Sequence, residues 1–164
     1  MAKYDLEDCL DDFETLLTSK LNAKISAIEA EKIAKGKGLA NGLATIEAEA
    51  FFRQTWSDKI LNNSPAIFFG IENVEAASGG MQTSERPTIF IECVIVDGGM
   101  DTDTHRRINR YSRAIRELIE ENFDSFTFAS KIKVETVRPT SFKLELDTSE
   151  EIKVGGVSVS LTIV

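Results

Sequence analysis

One histidine, two cysteines, three prolines and one tryptophan in 164 residues define this chain first by what it is short of. His105 has no second imidazole to pair with, so the usual histidine-based hydrolase and metalloenzyme constellations run short of parts. HExxH, CxxC and GxSxG patterns are also missing. Cys9 sits among helix-spaced apolar residues and Cys93 in a strand-like run, so both read as reduced, buried hydrophobes rather than a disulfide. No apolar run approaches the roughly 18 residues that a membrane-spanning helix needs. The opening "MAKYDLEDCLDDFETLL" shows no basic region followed by an apolar stretch and a small-residue cleavage site. The expectation is a protein made in, and staying in, a cytoplasm-like compartment. Positive charge is scarce too: 19 Lys and Arg against 27 Asp and Glu leave a net charge of -8. Such a surface cannot clamp phosphates as a whole, although a local basic patch remains open.

What is present points to one soluble domain, 1–164, large enough to bury a core without metal or disulfide staples. Leu6, Cys9, Leu10, Phe13, Leu16, Leu17 and Leu21 recur at helical spacing, and the phase continues loosely through Ile25 and Ile28. Acids at Asp5, Glu7, Asp8, Asp11 and Asp12 crowd the start of that helix, where its dipole favours them. "AKGKGLANG", from Ala34 to Gly42, has no periodicity and reads as a mobile loop; its glycines lack the preceding strand of a dinucleotide-binding turn. "SPAIFFGIENVEA" and "RPTIFIECVIV" read as strands, the second apolar on both faces and therefore central. After the helical stretch Asp101 to Asn122, "SKIKVETV", "SFKLELD" and "GVSVSLTIV" read as three more strands, with Val157, Val159, Leu161 and Ile163 inward in the last. The order predicts an α+β fold: an antiparallel or mixed sheet of about four to six strands packed against two main helices.

Two constellations carry candidate chemistry. Asp97, Asp101, Asp103 and His105 offer oxygen and imidazole ligands, the basis of an alternative reading as a small cytoplasmic metal-binding enzyme. Counted from Asp101, the EF-hand positions six and twelve hold Arg106 and Ser112, so that loop fails; Thr102, Asp103 or Thr104 reads better as a helix N-cap. The second constellation is the 101–122 helix itself, whose charges oppose its dipole. Arg106 and Arg107 stand at its positive end, and Glu120 and Glu121 at its negative end. On a helical wheel Ile108, Tyr111, Ile115, Leu118 and Ile119 form the core stripe, and Arg106, Arg110, Arg113 and Glu117 fall opposite, on an outward face. One account is a solvated face. The sharper account has acids of a second copy, from the first helix or from Glu150 and Glu151, meeting Arg106, Arg110 and Arg113 in a heterologous contact that closes into a ring.

The amphipathic first helix, "PAIFFGI", "TIFIECVIV", "RINRYSRAIRELI" and the terminal "GGVSVSLTIV" together resemble the tail terminator, or tail-completion, proteins of tailed bacteriophages. The likeness lies in element order and hydrophobic pattern over residues 1–28 and 64–164. It implies a structural virion protein of the tail and neck, assembled in the host cytoplasm, with no enzymatic activity, cofactor, bound metal or membrane. It also implies a self-associating, six-membered ring that caps the tail tube protein and meets the head-side connector, with DNA passing through its lumen without specific binding. Another head–tail joining or tail-tube protein is the neighbouring reading. Residues 29–63 are longer than the corresponding part of that family and read as a flexible or inserted contact arm.

Overall fold

The computed structural model describes residues 5–54, 64–77, 84–97, 103–126, 129–143 and 151–163. Helix α1, Leu6–Ala34, starts on a capping box: the Asp5 carboxylate accepts from the backbone N–H groups of Glu7 and Asp8, while the Asp8 carboxylate accepts from that of Asp5. It outruns the loose apolar phase by a turn and more, so the first residues assigned to the arm, 29–34, are helical. The helix stops in a Schellman turn. Gly36 takes φ +67, the Gly36 N–H bonds the Ile33 carbonyl, and the Lys37 N–H bonds the Lys32 carbonyl.

The segment after that turn is tied to both helices. Asn22 exchanges hydrogen bonds with the backbone of Ile46, and the Tyr111 hydroxyl donates to the Ala44 carbonyl at 2.7 Å. Leu39, Ile46 and Ala50 are buried. The segment then ends in the two-residue strand β1, Phe51–Phe52. Residues 55–63 of the expected arm lie outside the described residues.

Among the described residues, strands β2 (Ala66–Ala77), β3 (Ser84–Asp97), β4 (Ala129–Lys143) and β5 (Glu151–Ile163) join β1 in an open five-stranded sheet in the order β1-β2-β3-β5-β4. β1 runs parallel to β2 and every other pair is antiparallel, so the sheet is mixed and the fold is α+β. β3 is central, as its two apolar faces require. The expected pair "SKIKVETV" and "SFKLELD" is instead one strand through Lys143: β4 absorbs Pro139 at a register shift between Val137 and Thr140. An edge strand tolerates a residue without an N–H, and the bulge keeps the ladder going past it.

Helix α2, Thr104–Glu121, lies on β3, β4 and β5, and α1 packs beside it in the opposite direction. Ile89, Ile91 and Cys93 of β3, Ile67 and Phe69 of β2, and Val157, Val159 and Leu161 of β5 face the helices. Their partners are Phe13, Leu17, Leu21 and Ile25 of α1 and Ile108, Ile115 and Ile119 of α2. Cys9 and Cys93 are buried thiols outside any disulfide, and burial pushes the Cys93 thiol well above its ordinary range.

Candidate interaction site

The arginine face of α2 does not look outward along its whole length. Arg110 is buried, 7 % exposed, and its guanidinium bonds the Glu29 carboxylate of α1 and the Lys37 carbonyl, both at 2.5 Å. Arg113 reaches Glu31 at 2.7 Å and Glu117 at 2.6 Å. At the far end Lys24 of α1 holds Glu121 at 2.6 Å, and Lys20 donates to the Asn122 side chain. Partners climb α1 as they descend α2, which is the signature of an antiparallel helix pair.

That pairing resolves the reversed charges. The arginines sit at the wrong end of their own helix but beside the C-terminal end of α1, whose carboxylates and carbonyls face them. The helical wheel places Arg110 correctly opposite the core stripe. It cannot show that a second helix covers that side, so the expected outward face is corrected here to an intramolecular seam with only Arg106 fully outside it. The Arg106 side chain is 66 % exposed and meets Asp103 at 3.5 Å.

The seam has a measurable acid response. Hydrogen bonds from Arg113 and then Lys35 hold the Glu31 carboxyl at about 2, below its ordinary 4.5, while Glu31 and Glu117 raise the Arg113 guanidinium in turn. A carboxyl depressed in the folded state contributes stability above its unfolded value and loses it as pH falls towards its folded value. The difference in unfolding free energy between the native chain and Glu31→Gln therefore shrinks as pH falls from 4.5 towards 2, as read by urea titrations at a series of pH values. A pH-independent difference over that window would contradict the pairing.

The other expected site residues do not gather. Asp101 and Glu150 lie outside the described residues, as do the side chains of Asp97 and Glu151. His105 is exposed, while the Asp103 carboxylate faces Arg106 and the Ala40 N–H. Asp103 does occupy the N-cap position of α2, but its side chain makes no cap hydrogen bond. Among the described residues no three His, Cys, Asp or Glu side chains group as metal ligands.

The surface that sequence reasoning missed is the sheet face turned away from the helices. Phe52 stacks on Phe68 there, with ring centroids 4.9 Å apart; Phe68, Val94, Ile152 and Val154 on this face are buried, so its accessible apolar part is Phe52, Phe90 and Val137. Phe90 is only partly buried, and Val137, on the edge strand, is 40 % exposed. Glu92 stands among them, cross-strand from Phe68 on one side and Gly156 on the other. Burial first, and the Glu72 charge second, push its carboxyl upward, and among the described residues it has no hydrogen-bond or ion-pair partner. The signal in the sequence was a lone acid inside "TIFIECVIV", at a position where alternation demands an apolar side chain. No helix of the described residues is long and apolar enough to cross a membrane.

Compared with models of protein families the chain matches none, and compared with curated proteins it again finds no match.

Proposed function

We propose that this chain is a structural subunit of a phage-type tail terminator, a closed ring, six-membered on the resemblance, that caps the tail tube and presents a surface to the head-side connector. One observation carries the reading: the second sheet face sets the partly exposed Phe52, Phe90 and Val137 beside a half-buried carboxylate, Glu92, that has no partner among the described residues. A half-buried acid in apolar surroundings costs free energy unless a cation meets it, so a face built this way suits burial against another protein. The α+β fold agrees with the resemblance, and the net charge of -8 suits a lumen that DNA crosses without adhering.

In this reading lateral contacts are heterologous: the sheet face of one copy receives an exposed cation of the next. Arg110 and Arg113 support the subunit from within. Function is then a matter of shape, with no reaction and no cofactor.

Sedimentation velocity tests it. The native chain is expected to sediment as a ring of six 18.2 kDa subunits or to bind the ends of tail tubes. Glu92→Lys, which places like charge against the incoming cation, should leave a folded monomer by circular dichroism and lower tube-end binding at least about tenfold, the effect of 1.4 kcal/mol. A native chain that neither assembles nor binds tube ends would contradict the proposal.

A further inference from the structure

The Schellman turn at the end of α1 carries two lysines. This motif brings its C″ residue back over the C3 position, where a hydrophobic contact commonly forms. Here those positions are Lys37 and Lys32, joined through the Lys37 N–H to Lys32 carbonyl bond at 2.8 Å. Both lysine side chains therefore leave the backbone at the C-terminal end of α1, where cations commonly face the last carbonyls.

Both lysines line a cleft of about 520 Å³ that Gly36, Gly38, Arg106 and Asn109 complete, with Arg110 and Arg113 in its wall. The carboxylates of Glu29 and Glu31 are already bonded to Arg110 and Arg113. Among the described residues neither Lys32 nor Lys37 has an ion-pair partner, and Arg106 has only Asp103 at 3.5 Å. No Cβ stands over the cleft at Gly36, where open space surrounds the position a side chain would take. Lys32, Lys37 and Arg106 line one cleft with Asp103 as the only carboxylate paired to any of the three among the described residues, and an anion seated between them would lower their mutual repulsion.

We infer that this cleft is a binding site for a compact phosphate-class anion, with Lys32, Lys37 and Arg106 as its charge partners and the Asn109 amide as a neutral donor. Arginine and lysine divide the work: the guanidinium fork offers two parallel donors to one phosphoryl group, and the lysines supply point charges. Extended nucleic acid fits poorly. A strand leaving the cleft meets a protein of net charge -8, with Glu31, Glu117 and Asp103 close by. The favoured ligand is a pyrophosphate unit, alone or as the phosphate chain of a nucleotide, held entirely inside the cleft.

Isothermal titration of the full chain with inorganic pyrophosphate tests the site. Saturable one-to-one binding with Kd below about 1 mM is expected, weaker for orthophosphate, and lost at least about tenfold in Lys37→Glu and in Arg106→Glu. Both side chains are solvent-exposed, so these variants should fold as the native chain does. Lys133→Glu, on the exposed side of β4, serves as the charge control and should bind unchanged. ATP competing with pyrophosphate would identify the nucleotide as a source of the same group, whereas AMP should compete poorly. No saturable binding at about 10 mM, equal loss in the Lys133 control, or tighter binding of a single-stranded oligonucleotide than of pyrophosphate would each overturn the assignment.

Discussion

Arg110→Ala is expected to destabilise the folded chain by about 3–5 kcal/mol, the usual effect of stripping one partner from a buried ion pair. The Glu29 carboxylate would be left charged in a place where almost no water reaches it, and the Lys37 carbonyl would lose its donor as well. A domain of this size is stable by roughly 5–15 kcal/mol, so the loss would take a large part of the total. Replacing both partners, Arg110→Met with Glu29→Leu, should recover most of it, because apolar side chains of similar volume neither leave a charge uncompensated nor need water. Equilibrium unfolding in urea distinguishes the cases. A loss below about 1 kcal/mol in the single variant would place Arg110 in solvent, as expected of an exposed pair.

Gly156→Ala is the second large effect. A Cβ at Gly156 would stand 2.0 Å from the Ile91 carbonyl oxygen and 2.7 Å from the Glu92 Cα, and both atoms belong to the backbone of β3. No rotamer change relieves a clash with backbone, so the β3–β5 ladder itself must open. The cost should reach or exceed the upper end of the roughly 1–3 kcal/mol range of overpacking. Gly155→Ala is the informative comparison. Its Cβ would meet Ile108 Cγ1 at 2.9 Å and the Ser112 hydroxyl at 3.1 Å, which are side-chain atoms of α2 that can give way. A smaller loss is expected there, and the two thermal midpoints, measured side by side, show whether the order holds. The consequence reaches the open sheet face, since the strand that must move at Gly156 is the one that carries Glu92.

These two sites also show where a sequence stops being readable. The inward faces of α1 and β5 follow from spacing alone, because 3.6-residue and two-residue periods dictate which side chains share a face. Their extents do not follow. Glu29 and Glu31 break the apolar phase of α1, and the helix continues because Arg110 and Arg113 wait across the seam. The break before Pro139 looked like a strand end, yet β4 passes it on a bulge, since an edge strand loses nothing by a missing N–H on its open side.

The charge order of α2 was a genuine signal assigned to the wrong partner. Read beside it, α1 carries the complementary order, with Lys20 and Lys24 before Glu29 and Glu31, which is the pattern an antiparallel neighbour requires. Periodicity reports one helix at a time and cannot show which of two polar faces another helix will cover. The same limit hid Glu92. Its place in the central strand was visible, but its lack of a partner became apparent only once the neighbouring strands were in register.

The measurement that bears most directly on the assembly reading is the thiol-labelling rate of Val137→Cys as a function of protein concentration. Cys9 and Cys93 are buried and react slowly by comparison, so the new thiol reports on the open sheet face alone. If copies cover that face, labelling should slow by at least about tenfold as the protein assembles, and Glu92→Lys should restore the fast rate. A rate that stays fast and independent of concentration, in solutions where assembled rings are present, would contradict the claim that this face is where one subunit meets the next.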